Sequence, residues 1–244
     1  MKQATKLIHA GNGVDTGATP SLITPIYETS TFVFQSVADL EKYQAGELNG
    51  YLYSRYENPT VVAAEQKVAA VDGAEQSLLF SSGMAAISTA LLTLLKIGDE
   101  VICCSAIYGG TFHILEDLLP RLGIERRFVP IEAMADIASI VKPNTRLVWF
   151  ESPINPTLRC IDIRAVAASC RKAGVLCAMD NTFASPVNQP VLSMGVDLSM
   201  QSCTKYLNGH SDVTGGVLSG AASLLAPINK MRRLLGGVMD PQPA

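Results

Sequence analysis

From about residue 59 onward, short apolar runs of strand length recur along the chain, and the stretches between them are long enough to hold helices. The runs are Gln76–Phe80, Glu100–Cys104, Glu125–Val129, Arg146–Phe150, Val175–Met179 and Asp197–Gln201, with Gly215–Ser219 as a further strand. Helices are expected at Gly83–Leu95, Gly110–Leu122, Ala133–Val141 and Ile163–Ala173, each long enough to cross from one parallel strand to the next. This alternation predicts an α/β fold: a mostly parallel, seven-stranded type of sheet with helices on both faces. A last helix is expected over Ala222–Leu235, with Pro227 near its start, where a missing N–H does least harm.

The first part of the chain does not share that pattern. Residues 1–58 are rich in Gly, Pro, Ser and Thr and show periodicity only at a short helix around Val37–Tyr43, so they read as an arm ahead of a domain spanning 59–244. Beyond Leu235, Gly236, Gly237, Pro241 and Pro243 are expected to form a connection leading out of the domain.

Composition narrows the classes of partner. With 19 Lys and Arg against 22 Asp and Glu, a net charge of −3 and 48% hydrophobic residues, the chain has material for a large core and no basic patch for nucleic acid or an anionic membrane. Its N-terminus lacks the apolar core of a secretory signal, and no apolar stretch is long enough to span a bilayer, so a cytoplasmic location and a small-molecule partner are expected. The cysteines, Cys103, Cys104, Cys160, Cys170, Cys177 and Cys203, lack the spacing of a metal knuckle, and most lie in apolar runs where a thiol behaves as a small hydrophobe.

In open α/β sheets, ligands bind beyond the carboxyl ends of the strands, and the unusual polar residues of this sequence collect there. After Phe80, Ser81-Ser82-Gly83-Met84 opens a helix whose free N–H groups suit a phosphate, although many strand-to-helix turns look like this. Tyr108, before Gly109 and Gly110, can stack on a planar ligand or simply close the core edge. Asn155, between Pro153 and Pro156, can offer its amide to a ligand or serve only the turn. Asp180 ends an apolar strand and needs a cationic partner, such as a protonated pyridine nitrogen, unless it caps a turn. Lys205 follows Ser202 and Thr204, whose hydroxyls can donate to phosphate oxygens. In a largely enclosed site, that lysine can shed its proton and form an imine with an aldehyde; a solvated surface lysine is the ordinary alternative. A nicotinamide site is disfavoured, because no glycine fingerprint with a downstream ribose-binding acid is present.

The segments TKLIHAG (5–11), TPIYETSTFVF (24–34), YSRYENPT (53–60), SSGM (81–84), YGGT (108–111), ESPINP (151–156), DNTF (180–183) and TKYLNGHSD (204–212) together resemble the Cys/Met-metabolism, or transsulfuration, group of fold type I pyridoxal-phosphate enzymes. The likeness covers nearly the whole chain. It implies pyridoxal 5'-phosphate as cofactor, held by Lys205 as a Schiff base, with Asp180 at the ring nitrogen and Tyr108 stacked on the ring and assisting proton transfer. It also implies that Ser82, Gly83, Met84, Ser202 and Thr204 hold the phosphate and that Asn155 contacts the ring hydroxyl. Tyr53 and Arg55 would reach a neighbouring subunit's phosphate, which implies a homo-oligomer. The implied activity is γ-replacement or γ-elimination on an amino-acid substrate, a sulfur amino acid or O-acylhomoserine, as in cystathionine γ-synthases and γ-lyases. O-acylhomoserine sulfhydrylase and methionine γ-lyase are the alternatives within the group, and the latter typically carry cysteine where this chain has Gly110. The expected lack of a C-terminal domain, which in the group supplies the arginine for the substrate carboxylate, adds an inactive cofactor-binding fragment as a further alternative.

Overall fold

The computed structural model describes residues 2–11 and 21–244; Met1 and residues 12–20 of the expected arm lie outside the described residues. Seven strands form one sheet: β1 (Gln76–Phe80), β2 (Glu100–Cys104), β3 (Glu125–Val129), β4 (Thr145–Glu151), β5 (Leu176–Asp180), β6 (Leu198–Ser202) and β7 (Gly216–Gly220). Their order is β1-β7-β6-β5-β4-β2-β3. From β6 to β3 all neighbours are parallel, whereas β7 runs antiparallel to both β6 and β1. The helices are α1 (Gln3–His9), α2 (Val37–Gln44), α3 (Pro59–Asp72), α4 (Gly83–Leu94), α5 (Gly109–His113), α6 (Ile163–Ala173), α7 (Ser185–Asn188) and α8 (Ala222–Leu235).

Alternate residues of each strand feed opposite layers, as the period-2 geometry of a strand requires. Leu78, Phe80, Val101, Cys103, Trp149 and Met200 pack with α4 and α8, while Ile102, Cys104, Val148, Phe150, Cys177 and Met179 pack with α6. A third cluster joins Leu79 and Val217 to Val61 of α3. The strands are therefore covered on both faces, and five of the six cysteines are buried in these layers, Cys160 alone being exposed.

Local chemistry explains the boundaries. Asn58 caps α3 by accepting from Thr60 N–H, Pro59 fills its first turn, and Gly73 ends it with φ of 72°. No helix at 59–72 stands out from the apolar spacing alone, since Pro59, Thr60, Val61, Ala63, Ala69 and Val71 are buried around much of its circumference. The helix expected over Gly110–Leu122 is instead α5 followed by a π turn at Ile114–Leu118 and a 3-10 turn at Leu119–Leu122. Pro120 is the physical reason: it has no N–H to donate and its ring crowds the preceding turn. Ala133–Val141 is likewise not an α-helix but part of a 3-10 segment, Ile131–Ser139, broken at Asp136, where Ser169 of α6 accepts the N–H of Ala138.

The sheet edge at β1 is closed by side chains. Leu79 N–H donates to Glu65 at 2.9 Å, Leu79 C=O accepts from Arg232 at 2.6 Å, and Arg232 and Glu65 form a buried ion pair at 2.6 Å. At the other edge, β3 carries Arg126 and Arg127, paired with Glu116 and Glu100. Among the described residues no helix is long and apolar enough to cross a membrane.

Candidate active site

The carboxyl ends of β4, β5 and β6, the start of α4 and the loop after β2 surround a cavity of about 250 Å³. Ser82, Gly83, Met84, Tyr108, Asn155, Asp180, Ser202, Thr204 and Lys205 all line it. Three strands end one residue beyond the expected points, so Glu151, Asp180 and Ser202 are the last residues of their strands and not the first of their loops. Strand geometry thereby fixes their direction more firmly than a loop would.

Asp180 is buried, and loss of hydration raises its carboxyl above the usual carboxylate range. Its Oδ1 accepts from Thr182 N–H at 3.0 Å and from the Thr182 hydroxyl at 2.5 Å, and that hydroxyl in turn accepts Ser202 N–H at 2.8 Å. Oδ2 has no partner among the described residues. In the sheet register Asp180 stands beside Glu151, whose carboxyl is pushed up to about 7, chiefly by burial and with Asp180 adding to the effect. Two buried carboxylates at adjacent strand ends, neither in an ion pair among the described residues, call for a cationic guest.

At the opposite end, Ser82 caps α4 by accepting from Ala85 N–H at 3.0 Å, which leaves the N–H groups of Gly83 and Met84 in the first turn. Little room for a side chain exists at Gly83 and none at Gly216. A Cβ on Gly83 would lie 3.2 Å from Met200 and Ser202, and one on Gly216 would lie 2.4 Å from the carbonyl oxygen of Ser82. The start of α4 is thus pressed against β6 and β7, and Gly83 and Met84 line the cavity. Thr204 is committed differently from the expectation: its hydroxyl accepts Gly215 N–H at 3.0 Å and lies 3.3 Å from Gly215 C=O. Of the two hydroxyls expected to donate to a phosphate, Ser202 is the one without a bond to this chain among the described residues.

Tyr108 is 44% exposed, with its ring over Gly110, where an added Cβ would come within 2.6 Å of the ring and 2.7 Å of the Met84 sulfur. Asn155 is exposed and its side chain is unbonded among the described residues. Lys205 lies on the irregular turn Cys203–Leu207 with φ −99° and ψ −122°, and it is exposed, not enclosed as expected. Lys205 nonetheless lines the cavity.

Tyr53 and Arg55 are not part of the cavity. They line a separate recess with Ser54 and Asp240, where the Arg55 guanidinium lies 5.3 Å from the Tyr53 ring and 4.9 Å from the Tyr56 ring, and donates to Arg233 C=O. The cavity also contains residues without an expected role: Glu151, Thr182, Phe183 and Met200. Glu151 and Thr182 sit in the quoted ESPINP and DNTF segments; the signal for them was their place at strand ends beside Asp180.

These residues fit pyridoxal 5'-phosphate. A free carboxylate oxygen meets the ring nitrogen's need for a counter-ion, two unpaired helix-start N–H groups meet that of a phosphate, and a primary amine opens onto the same space. The comparisons with known proteins agree. The chain superposes on the crystal structure of metB from Corynebacterium glutamicum with a TM-score of 0.91 at 36% identity, covering 100% of this chain and 61% of that one. It is 38% identical over 98% of its length to a probable cystathionine gamma-synthase of Herpetosiphon aurantiacus, and 40% identical over 99% to a cystathionine gamma-lyase of Bacillus subtilis. An L-methionine gamma-lyase of Pseudomonas putida is 38% identical over 99% of the chain. The chain spans 72%, 62% and 61% of the lengths of these three relatives. Residues 4–244 match the pattern of one family throughout, and the chain belongs to it: the Cys/Met metabolism PLP-dependent enzymes, whose cofactor is pyridoxal 5'-phosphate.

Proposed function

We propose that this chain binds pyridoxal 5'-phosphate through Lys205 and serves a transsulfuration-type reaction, γ-replacement or γ-elimination, on a sulfur amino acid or O-acylhomoserine. The observation that carries this is the convergence of Lys205, Asp180, Tyr108 and the α4 N-terminus on one cavity. When bound, the cofactor supplies an electron-withdrawing ring that takes up charge from the α-carbon of an amino acid.

The chain's own residues divide the remaining work. Gly83 and Met84 N–H groups, with the Ser202 hydroxyl, bind the phosphate at the positive end of the α4 dipole. Asp180 Oδ2 holds the proton on the ring nitrogen, while Thr182 fixes Oδ1. Tyr108 covers the ring face and limits water, and Asn155 offers its amide to the ring hydroxyl. Lys205 Nζ, which is free of any partner among the described residues, moves the proton between the α-carbon and the next position of the substrate.

Among the activities of the relatives, the synthase and γ-lyase type fits best. Gly110 supports Tyr108 from beneath, and a cysteine there, typical of methionine γ-lyases by the resemblance above, would displace that ring. Homo-oligomerisation belongs to the same proposal. Leu22, Ile23 and Val33 of the arm are 93%, 77% and 90% exposed, an apolar surface suited to a second copy, and the recess of Tyr53 and Arg55 supplies an aromatic wall and a guanidinium away from this chain's cavity.

The test is the visible spectrum of the chain with pyridoxal 5'-phosphate, beside Lys205→Ala, before and after cystathionine is added. A visible imine band that depends on Lys205 is the expected result. A substrate-induced shift supports the activity, and a band identical in the alanine variant rejects the assignment.

A further inference from the structure

Glu151 has no part in the assignments above, yet its side chain ties two walls of the cavity to the sheet. Its Oε2 accepts the N–H of Tyr108 at 2.9 Å and its Oε1 accepts the N–H of Asn155 at 3.0 Å. Tyr108 ends the segment between β2 and α5 and Asn155 lies in the segment after β4, so a single carboxylate joins two loops from different strands. Both contacts need an acceptor. A carboxylate offers two acceptor oxygens, whereas an amide offers one and sets its NH₂ against the other N–H. Glu151 is 5% exposed, lines the cavity and pairs in register with Asp180. An unpaired anion at such a place is costly to bury, so packing alone does not account for it.

We propose that Glu151 is a positioning residue for this site: its carboxylate holds the Tyr108 and Asn155 loops in fixed relation across the cavity mouth, so that both side chains meet a bound cofactor together. For its purpose the tie rests on the cofactor reading given above, but its existence does not. The groups that act on or against Glu151 are Asp180 on β5, Cys103 and Cys104 on β2 and the Tyr108 and Asn155 N–H groups, and Lys205 lines the same cavity. Because burial and Asp180 push Glu151 up to about 7, the tie is complete above that pH and weakens as protonation replaces one acceptor with a donor.

Amide hydrogen exchange on the cofactor-free chain tests this directly. At pH 8, Glu151→Gln is expected to exchange about tenfold or more faster than the unsubstituted chain in the segments holding Tyr108 and Asn155, with β5 and α6 unchanged. The unsubstituted chain at pH 5.5, corrected for intrinsic exchange, should show the same two segments loosened, which repeats the test without a substitution. Equal exchange in both segments under both conditions overturns the tie. A titration with pyridoxal 5'-phosphate then tests positioning: affinity should fall about tenfold in Glu151→Gln at pH 8, and the gap should narrow below pH 7. Looser loops with unaltered affinity overturn the positioning role. If the unsubstituted chain binds no cofactor, the cofactor reading fails, and the exchange result decides the tie by itself.

Discussion

Asp180 and Glu151 occupy neighbouring rungs at the ends of β5 and β4, and burial raises both carboxyls. For Glu151, whose ordinary value is 4.5 and whose folded value is about 7, the folded chain binds the proton more tightly than the unfolded one. Its contribution to stability is therefore present below about 4.5 and lost as pH rises to about 7, a difference of about 3 kcal/mol. Denaturant unfolding of the cofactor-free chain at several pH values should show a decline that is shallower in Glu151→Gln; equal slopes in the two proteins would contradict it. Asp180→Asn should keep the Lys205-dependent cofactor band but slow exchange of a substrate's α-proton by about a hundredfold or more, because a neutral amide no longer holds the ring proton. Undiminished exchange in deuterated water would reject that role. That Asp180 and Lys205 come together at one cavity was legible in the sequence, from a carboxylate at the end of one strand and a lysine just after another. Glu151 was not given a role, since its function depends on which backbone N–H groups the fold brings to it. The two bonds of Thr204 to Gly215 escaped for the same reason.

The start of α4 is the element on which the proposed phosphate binding depends. Ser82→Ala removes the cap bond to Ala85 and should cost about 1 kcal/mol, read as a lower midpoint of denaturation. Gly216→Ala acts on the same element from outside, since the new Cβ would press on the backbone of Ser82 and Gly83. It should destabilise the chain by about 1–3 kcal/mol and weaken cofactor binding more than a surface glycine substitution such as Gly46→Ala, as titration would show. Strands were read well at this scale, each within one residue, because alternation of apolar residues reports directly on sheet faces. Helices were read less well where hydrogen bonding decides. Pro120 and the Ser169 hydroxyl convert two expected helices into tighter or looser turns, and periodicity does not register either effect.

Across the whole molecule, the mostly parallel sheet and its two covered faces followed from the order of apolar runs, but the antiparallel β7 did not, since direction leaves no mark on a five-residue run. The strand brings α8 back beside α3, and that return places Arg232 against Glu65. Arg232→Met should lower stability by about 3–5 kcal/mol, because Glu65 would keep a buried charge and Leu79 an unmet carbonyl; a change below 1 kcal/mol, measured by denaturant, would show the ion pair to be dispensable. The same closure bears on how the protein behaves when crowded. An open sheet edge is a template on which foreign strands can add one after another into fibres, and here the template is blocked by a guanidinium and a carboxylate at β1 and by paired arginines at β3. The homo-oligomer proposed above would then leave its sheets separate.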